Sequence, residues 1–216
     1  MEKLMAVLAE FQKKQGQLPS KKEDEKVLEL AELFKTIAKQ LLYGGSFVVI
    51  SPGESIRRVY PHTVEFYYHE ETDGGLKDYI VYHRNKGDRL VQYFQIGSIN
   101  AHQSGIDITF ESEKGQYRAS ALIRAFRYEA EGEEIVDTHC TFLYDHLLTG
   151  LQMPITIQWE DSDSLSGEEL KQGYRVNVSK YKLDTDGKPV KTNDQDCRPW
   201  AFSVGKFPEK LRYNPK

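Results

Sequence analysis

Leu4, Met5, Leu8 and Phe11 recur three and four residues apart, which places them on one face of a helix over residues 2–15. The stretch QGQLPS breaks that period at Gly16 and Pro19. A second run has Val27, Leu28, Leu30, Ala31, Phe34, Ile37, Ala38 and Leu41 at helical spacing and predicts an amphipathic helix over 21–43. Ser20 with Glu23 three residues later has the form of a capping box, and Gly44–Gly45 supply the stop.

From residue 46 the period changes to two. FVVI (47–50) predicts a buried strand and SPGES (51–55) a turn or loop. VEFYYHE (64–70), DYIVYH (78–83), RLVQYFQI (89–96), GIDITFE (105–111) and YRASALIRAF (117–126) each predict a strand, separated by turns rich in Gly and Asp. The acidic stretch 129–139 reads as a loop and LYDHLLTGLQM (143–153) as a short helix. YRVNVSKYKL (174–183) reads as a strand, DTDGKPVKTNDQD (184–196) as a polar loop with a DG turn, and PWAFSV (199–204) as a last short strand. The expected fold class is α+β in a single domain, 1–216, with a helical N-terminal part (1–45) packed on a curved, mostly antiparallel sheet (46–216).

Composition adds limits. With 39% hydrophobic residues, 216 residues suffice for one packed core. The formal net charge of −4 gives no overall positive field, so a nucleic-acid function needs a local basic face. Cys140 and Cys197 have neither disulfide nor metal-ligand spacing and suit a reducing cytoplasm. The first fifteen residues are too charged for a signal peptide, and the apolar runs are too short for a membrane span.

The candidate chemistry lies on the strands. Alternation sets Glu65 and Tyr67 on one face of their strand, with Val64, Phe66 and Tyr68 on the other. An isolated strand acid is ordinarily a solvated residue. Beside aromatic rings that can stack a planar ligand, the same acid can position or activate water. Asp107, Thr109 and Glu111 point away from the core face formed by Ile106, Ile108 and Phe110. In the next strand Ala119, Ala121, Ile123 and Ala125 share one face, and Leu122, Arg124 and Phe126 the other. Arg124 between large apolar neighbours needs an anionic partner, with Glu65 or Asp107 expected. P-loop, dinucleotide-fingerprint and GxSxG motifs are absent, and the six histidines lack metal-ligand spacing.

The order VEFYYHE, HRN, GIDITF, ALIRAF, RVNV, RPWAF resembles the methylpurine-DNA glycosylase (alkyladenine glycosylase) family, from Val64 to Phe202. The resemblance implies the fold of that family and a monofunctional N-glycosidase of base-excision repair, which removes a damaged or modified purine by water attack. Glu65 would activate the water and Arg124 lie beside it. Tyr67 would stack on the flipped base, and His83, next to Arg84 and Asn85, would stand for the second stacking residue. Asp107 occupies the place of an asparagine that discriminates among purines, and Asn100 falls near the position of the family's tyrosine wedge. The substrate-binding set is then Tyr67, His83, Asn85, Asn100 and Asp107, with no cofactor and no metal. The implied partner is double-stranded DNA carrying a damaged base, bound by a monomer away from any membrane, with Arg57, Arg58, Arg84, Lys86 and Arg89 as a basic rim. The alternative is an inactive module of the same fold that binds a small ligand or a protein through the Glu65/Asp107 face.

Overall fold

A computed structural model describes residues 1–18, 22–50, 56–102, 104–130, 133–139, 156–162 and 168–209. Helix α1 spans Glu2–Gln15 and buries Leu4, Leu8 and Phe11. Helix α2 spans Glu23–Tyr43 and buries Leu30, Ala31, Phe34, Ile37, Ala38, Leu41 and Leu42. Leu28 falls off that stripe and is exposed. The start of α2 differs from a capping box. Lys22 is the N-cap, without a side-chain cap, and Glu23, Asp24 and Glu25 set negative charge against the positive end of the helix dipole instead. Ser20 and Pro19 lie outside the described residues. Gly44 caps α2, its amide donating to the Gln40 carbonyl at 2.9 Å. A β-carbon at Gly45 would collide with the Glu160 carbonyl and the Trp159 indole, so the close approach of the first strand requires glycine there.

The remaining chain is dominated by one antiparallel sheet: β1 Gly45–Ile50, β2 Arg57–Glu70, β3 Ile99–His102, β4 Gly105–Thr109, β5 Tyr117–Ala130, β6 Glu133–Asp137, β7 Thr156–Asp161 and β8 Leu170–Gly173, with a later strand, Ala201–Val204. Between β8 and that strand, β9 Ser179–Leu183 and β10 Pro189–Gln195 form a separate hairpin, which makes Ala201–Val204 β11. The main order is β3-β4-β5-β2-β1-β7; β11 joins β2 to β8, and β6 adds to β5. Among the described residues the architecture is α+β, two helices on a curled antiparallel half-barrel. Among the described residues, no helix is long and apolar enough to cross a membrane.

Four local readings change. The acidic 129–139 segment contains β6, an edge strand whose acids keep its open side soluble. The polar 184–196 segment contains β10, because the DG turn, with Gly187 at φ 73°, closes a hairpin. Of YRVNVSKYKL only Ser179–Leu183 is strand. DYIVYH and RLVQYFQI form no strand. The expected loop at 51–55 and helix at 143–153 lie outside the described residues, as does Cys140.

Two bulges give the sheet its curl. β5 runs along one edge of β2, while the other edge is shared, β1 taking Arg57–Val59 and β11 taking Thr63–Glu65. Near Pro61 the register jumps: Pro61 opposes Phe126, Thr63 opposes Ala125, and Val64 opposes Ile123. His62 and Arg124 are therefore extra residues on their strands, and a proline in mid-strand fits such a bulge. The bulge also inverts the alternation of β5. Phe126 turns to the main core, whereas Ala125 packs with Val176 on the other side, the reverse of the expected faces.

The helices cover one face of the sheet. Phe34 stacks on Phe66 at 4.6 Å and meets Trp200 and Phe110 edge-on. Val64, Tyr68, Ile106, Ile108, Ala121 and Ile123 complete that apolar layer. The opposite face is equally buried but polar, with Glu65, Asp107, Thr109, Glu111, Arg118 and Ser120 all closed off from solvent. This second layer carries the candidate chemistry.

Candidate functional site

Strand pairing gathers the predicted residues into rows. Asn100, Asp107, Leu122, Glu65 and Ala201 stand opposite one another across β3, β4, β5, β2 and β11. Thr109, Ser120 and Tyr67 form the next row. Directly paired residues in an antiparallel sheet share a face, so two acids far apart in sequence lie one strand away from a common neighbour, Leu122.

Glu65 is 0% exposed and each of its carboxylate oxygens has a donor. The Val176 amide donates to Oε1 at 2.7 Å, and the Tyr67 hydroxyl donates to Oε2 at 2.8 Å. Arg124 Nε lies 3.6 Å from Oε2, with its side chain 17% exposed, so solvent approaches the ion pair from the arginine side. The expected carboxylate partner of Arg124 is thus Glu65, and the β5 bulge aims the guanidinium toward it. Burial, together with the neighbouring Glu65 charge, pushes the Tyr67 hydroxyl well above its ordinary range, so it remains a donor.

Tyr67 also borders a cavity of about 110 Å³, lined in addition by Tyr82, His83, His102, Asp107 and Leu122, among others. His102 Nε2 lies 3.0 Å from Asp107 Oδ1, and its ring stacks on Tyr82 with centroids 4.5 Å apart. His83 is buried, with Nδ1 against Glu111 Oε1. Glu65, Arg124, Asn100 and Asn85 do not line the cavity, so the expected pocket holds Tyr67 without the acid beside it. The Asn100 amide donates to Thr109 Oγ1 at 3.2 Å, and Asn85 Oδ1 accepts from the Val91 amide at 2.9 Å, so both secure local backbone. Among the expected rim residues, Arg58 pairs with Glu160 at 2.7 Å and Arg84 donates to the Tyr79 and Asn85 carbonyls. Lys86 and Arg89 are exposed and pair across a tight turn.

Two fully buried arginines, Arg118 and Arg175, hold the cover over this face, and neither stands out in the linear sequence. Arg118 donates to Glu71 at 2.9 Å, Glu111 at 3.1 Å and the Val91 carbonyl at 2.5 Å, and sits 3.4 Å from the centre of the Tyr93 ring. Arg175 donates to Asp78 at 2.5 Å and Asp196 at 2.8 Å and stacks on Tyr67 at 4.9 Å. Burial works against the charge on Asp78, but Arg175 and Arg198 outweigh it and hold the carboxyl below its usual range. A separate mixed-charge groove of about 530 Å³ lies where Lys77, Tyr79, Tyr181 and Arg198 come together.

His62 and His69 make the fold acid-sensitive. Burial lowers both to about 4, with Arg127 adding to the effect at His62. His69 Nδ1 accepts the Asp78 amide at 3.1 Å, a bond that needs an unprotonated nitrogen. The unfolded imidazoles titrate near 6.5, so the unfolded chain takes up protons first. Stability is fully present above pH 6.5 and is lost as the pH falls toward 4, by on the order of 2–3 kcal/mol per histidine. Urea titrations across that window should show the midpoint falling with pH in the wild type and less steeply in His69→Gln. A midpoint that stays level in the wild type would contradict this assignment.

No model of a known protein family matches the chain, and a search of curated proteins finds no match.

Proposed function

We propose that the protein is an N-glycosidase with a fold like that of the methylpurine-DNA glycosylases, hydrolysing the bond between a damaged or modified purine and its sugar. The observation that carries this reading is the Glu65 carboxylate, held by Arg124 and the Val176 amide and joined through Tyr67 to an aromatic-walled cavity. Breaking an N-glycosidic bond leaves positive charge on the sugar carbon. A carboxylate beside that carbon both offsets the charge and takes the proton of the attacking water. The base needs a separate, flat compartment, and Tyr67, Tyr82, His83 and His102 supply rings around one. Arg124 pairs with Glu65 and lies on the side that solvent reaches. The bound partner in this reading is duplex DNA presenting an extruded base, with Lys86 and Arg89 available to its phosphates.

A second reading, favoured by the net charge of −4 and by Asp107 in the cavity wall, is a module that binds a small ligand in the cavity without chemistry. One assay separates the two. Wild-type protein is incubated with duplex oligonucleotides containing hypoxanthine or alkylated purines, and free base is measured. Release supports the N-glycosidase. No release from any of these duplexes, with saturable binding of free purine, supports the binding module.

A further inference from the structure

We infer that the mixed-charge groove of about 530 Å³ binds a zwitterion of the α-amino-acid class, its carboxylate taken by Arg198 and its ammonium by Glu23. The groove shares no lining residue with the cavity beside Tyr67 and does not depend on the N-glycosidase reading. It opens where the first turn of α2, the segment after β2 and the base of the β9–β10 hairpin meet. Arg198 is the anchor. Among the described residues its guanidinium makes one hydrogen bond, from Nη2 to the Lys77 carbonyl at 2.8 Å. Three carboxylates stand near it without a hydrogen bond: Asp196 at 3.5 Å from Nε, Asp78 at 3.6 Å from Nη1 and Glu23 at 3.9 Å from Nη2. Nη1 is buried and has no hydrogen-bond partner. The two nearer acids are already satisfied, because the same oxygens accept from Arg175 at 2.5 and 2.8 Å. Charge therefore holds the Arg198 guanidinium in place while its forked donors stay available to a ligand oxyanion.

The surrounding charges select the ligand. Asp78 and Asp196 are balanced by Arg175 and Arg198. Lys77 turns its ammonium to the Glu70 and Thr72 carbonyls, at 2.7 and 2.8 Å, and Lys180 is exposed, with no ion pair among the described residues. Glu23 and Asp24, in the first turn of α2, offset these two. The groove is thus close to neutral but polarised. A simple anion that reaches Arg198 meets Glu23, and a simple cation that reaches Glu23 meets Arg198. A molecule with a carboxylate and an ammonium on one carbon answers both, taking the place of the loose 3.9 Å contact between them. The Tyr79 and Tyr181 rings line the same groove, with centroids 6.1 Å apart and planes inclined by 52°. They offer an aromatic wall to an apolar or aromatic side chain. Trp200 reports on the site: its ring centre lies 5.0 Å from the Arg198 guanidinium, and its Nε1 donates to the carbonyl of Val27, a lining residue.

L-Phenylalanine is the probe, titrated into the full chain and followed by tryptophan emission and by calorimetry. Saturable binding is expected. 3-Phenylpropionate, which lacks the ammonium, and phenethylamine, which lacks the carboxylate, should each bind about 10–100-fold more weakly, and inorganic phosphate no better than either. Glu23 is 69% exposed, so Glu23→Gln keeps the fold. It is expected to weaken phenylalanine about tenfold and to leave 3-phenylpropionate unchanged. Arg198→Gln should remove the binding of both; should that variant fold poorly, the ligand series and Glu23→Gln decide alone. If phosphate, 3-phenylpropionate or phenethylamine binds as tightly as phenylalanine, the zwitterion assignment is overturned. An unchanged affinity for phenylalanine in Glu23→Gln overturns it as well. A wild type with no saturable response by either method overturns the site itself, whatever the outcome of the base-release assay.

Discussion

Replacing Arg118 by methionine is expected to cost the folded state about 3–5 kcal/mol, measured as the free energy of urea unfolding. The side chain is 0% exposed and serves two acids and several backbone groups together. Without it, Glu71 and Glu111 are left as buried like charges, and the Val91 and Gln92 carbonyls each lose a donor. Methionine fills much of the volume, so the loss reports charge and hydrogen bonding rather than a cavity. Neutralising the acids as well should recover part of it: Arg118→Met with Glu71→Gln and Glu111→Gln is expected to be more stable than Arg118→Met alone. A single variant within about 1 kcal/mol of wild type would show that the cluster is not what secures the cover. So would a triple variant less stable than the single one.

The same arginine bonds the backbone of RLVQYFQI, one of two segments, with DYIVYH, that resemble strands in sequence and are not. Both are rich in β-branched and aromatic residues, but side chains from elsewhere satisfy their backbone; in DYIVYH the Asp78 amide donates to His69 and the Tyr79 carbonyl accepts from Arg84. The Asn85 amide donates to Glu71, Val91 to Asn85, and Phe94 to Glu111, while the Val91 and Gln92 carbonyls accept from Arg118. A ladder's bonds have been replaced by contacts with residues 5 to 27 positions away, for which no local pattern exists. Where the partner strand supplied the bonds, as in β2, β4 and β5, the period of two located the element and assigned the faces up to the bulge.

The bulge marks the other limit. Arg124 was legible as an arginine in need of an acid, because its apolar neighbours are adjacent in sequence. The register shift that aims it at Glu65 was not, because it shows only in how β5 pairs with Thr63 and Val64 of the neighbouring strand. Likewise Glu65 and Tyr67 share a face by simple alternation, whereas the burial of Glu65 depends on Val176, 111 residues later. His83 entered through a resemblance. Its pairing with Glu111 has no signature in the chain, since the two meet only once the 78–97 segment folds over β4.

Glu65→Gln is expected to lower base release by about two to four powers of ten while leaving unfolding free energy within about 1–2 kcal/mol of wild type. Gln matches Glu in size, and its carbonyl oxygen can still accept the Val176 amide now held at 2.7 Å. Its amino group can donate to the Tyr67 oxygen, at the cost of the acceptor that the Tyr67 hydroxyl hydrogen has in Glu65. What disappears is the charge beside Arg124 and the ability to take a proton from water. The two measurements must separate for the proposed role to hold: chemistry lost, fold kept. If release persists at the wild-type rate, Glu65 is not the base. If release and stability collapse together, Glu65 belongs with Glu71 and Glu111 as an acid that anchors the polar layer. Glu65→Ala then provides the comparison, because it strips the partner from the Val176 amide and should destabilise the fold in either case.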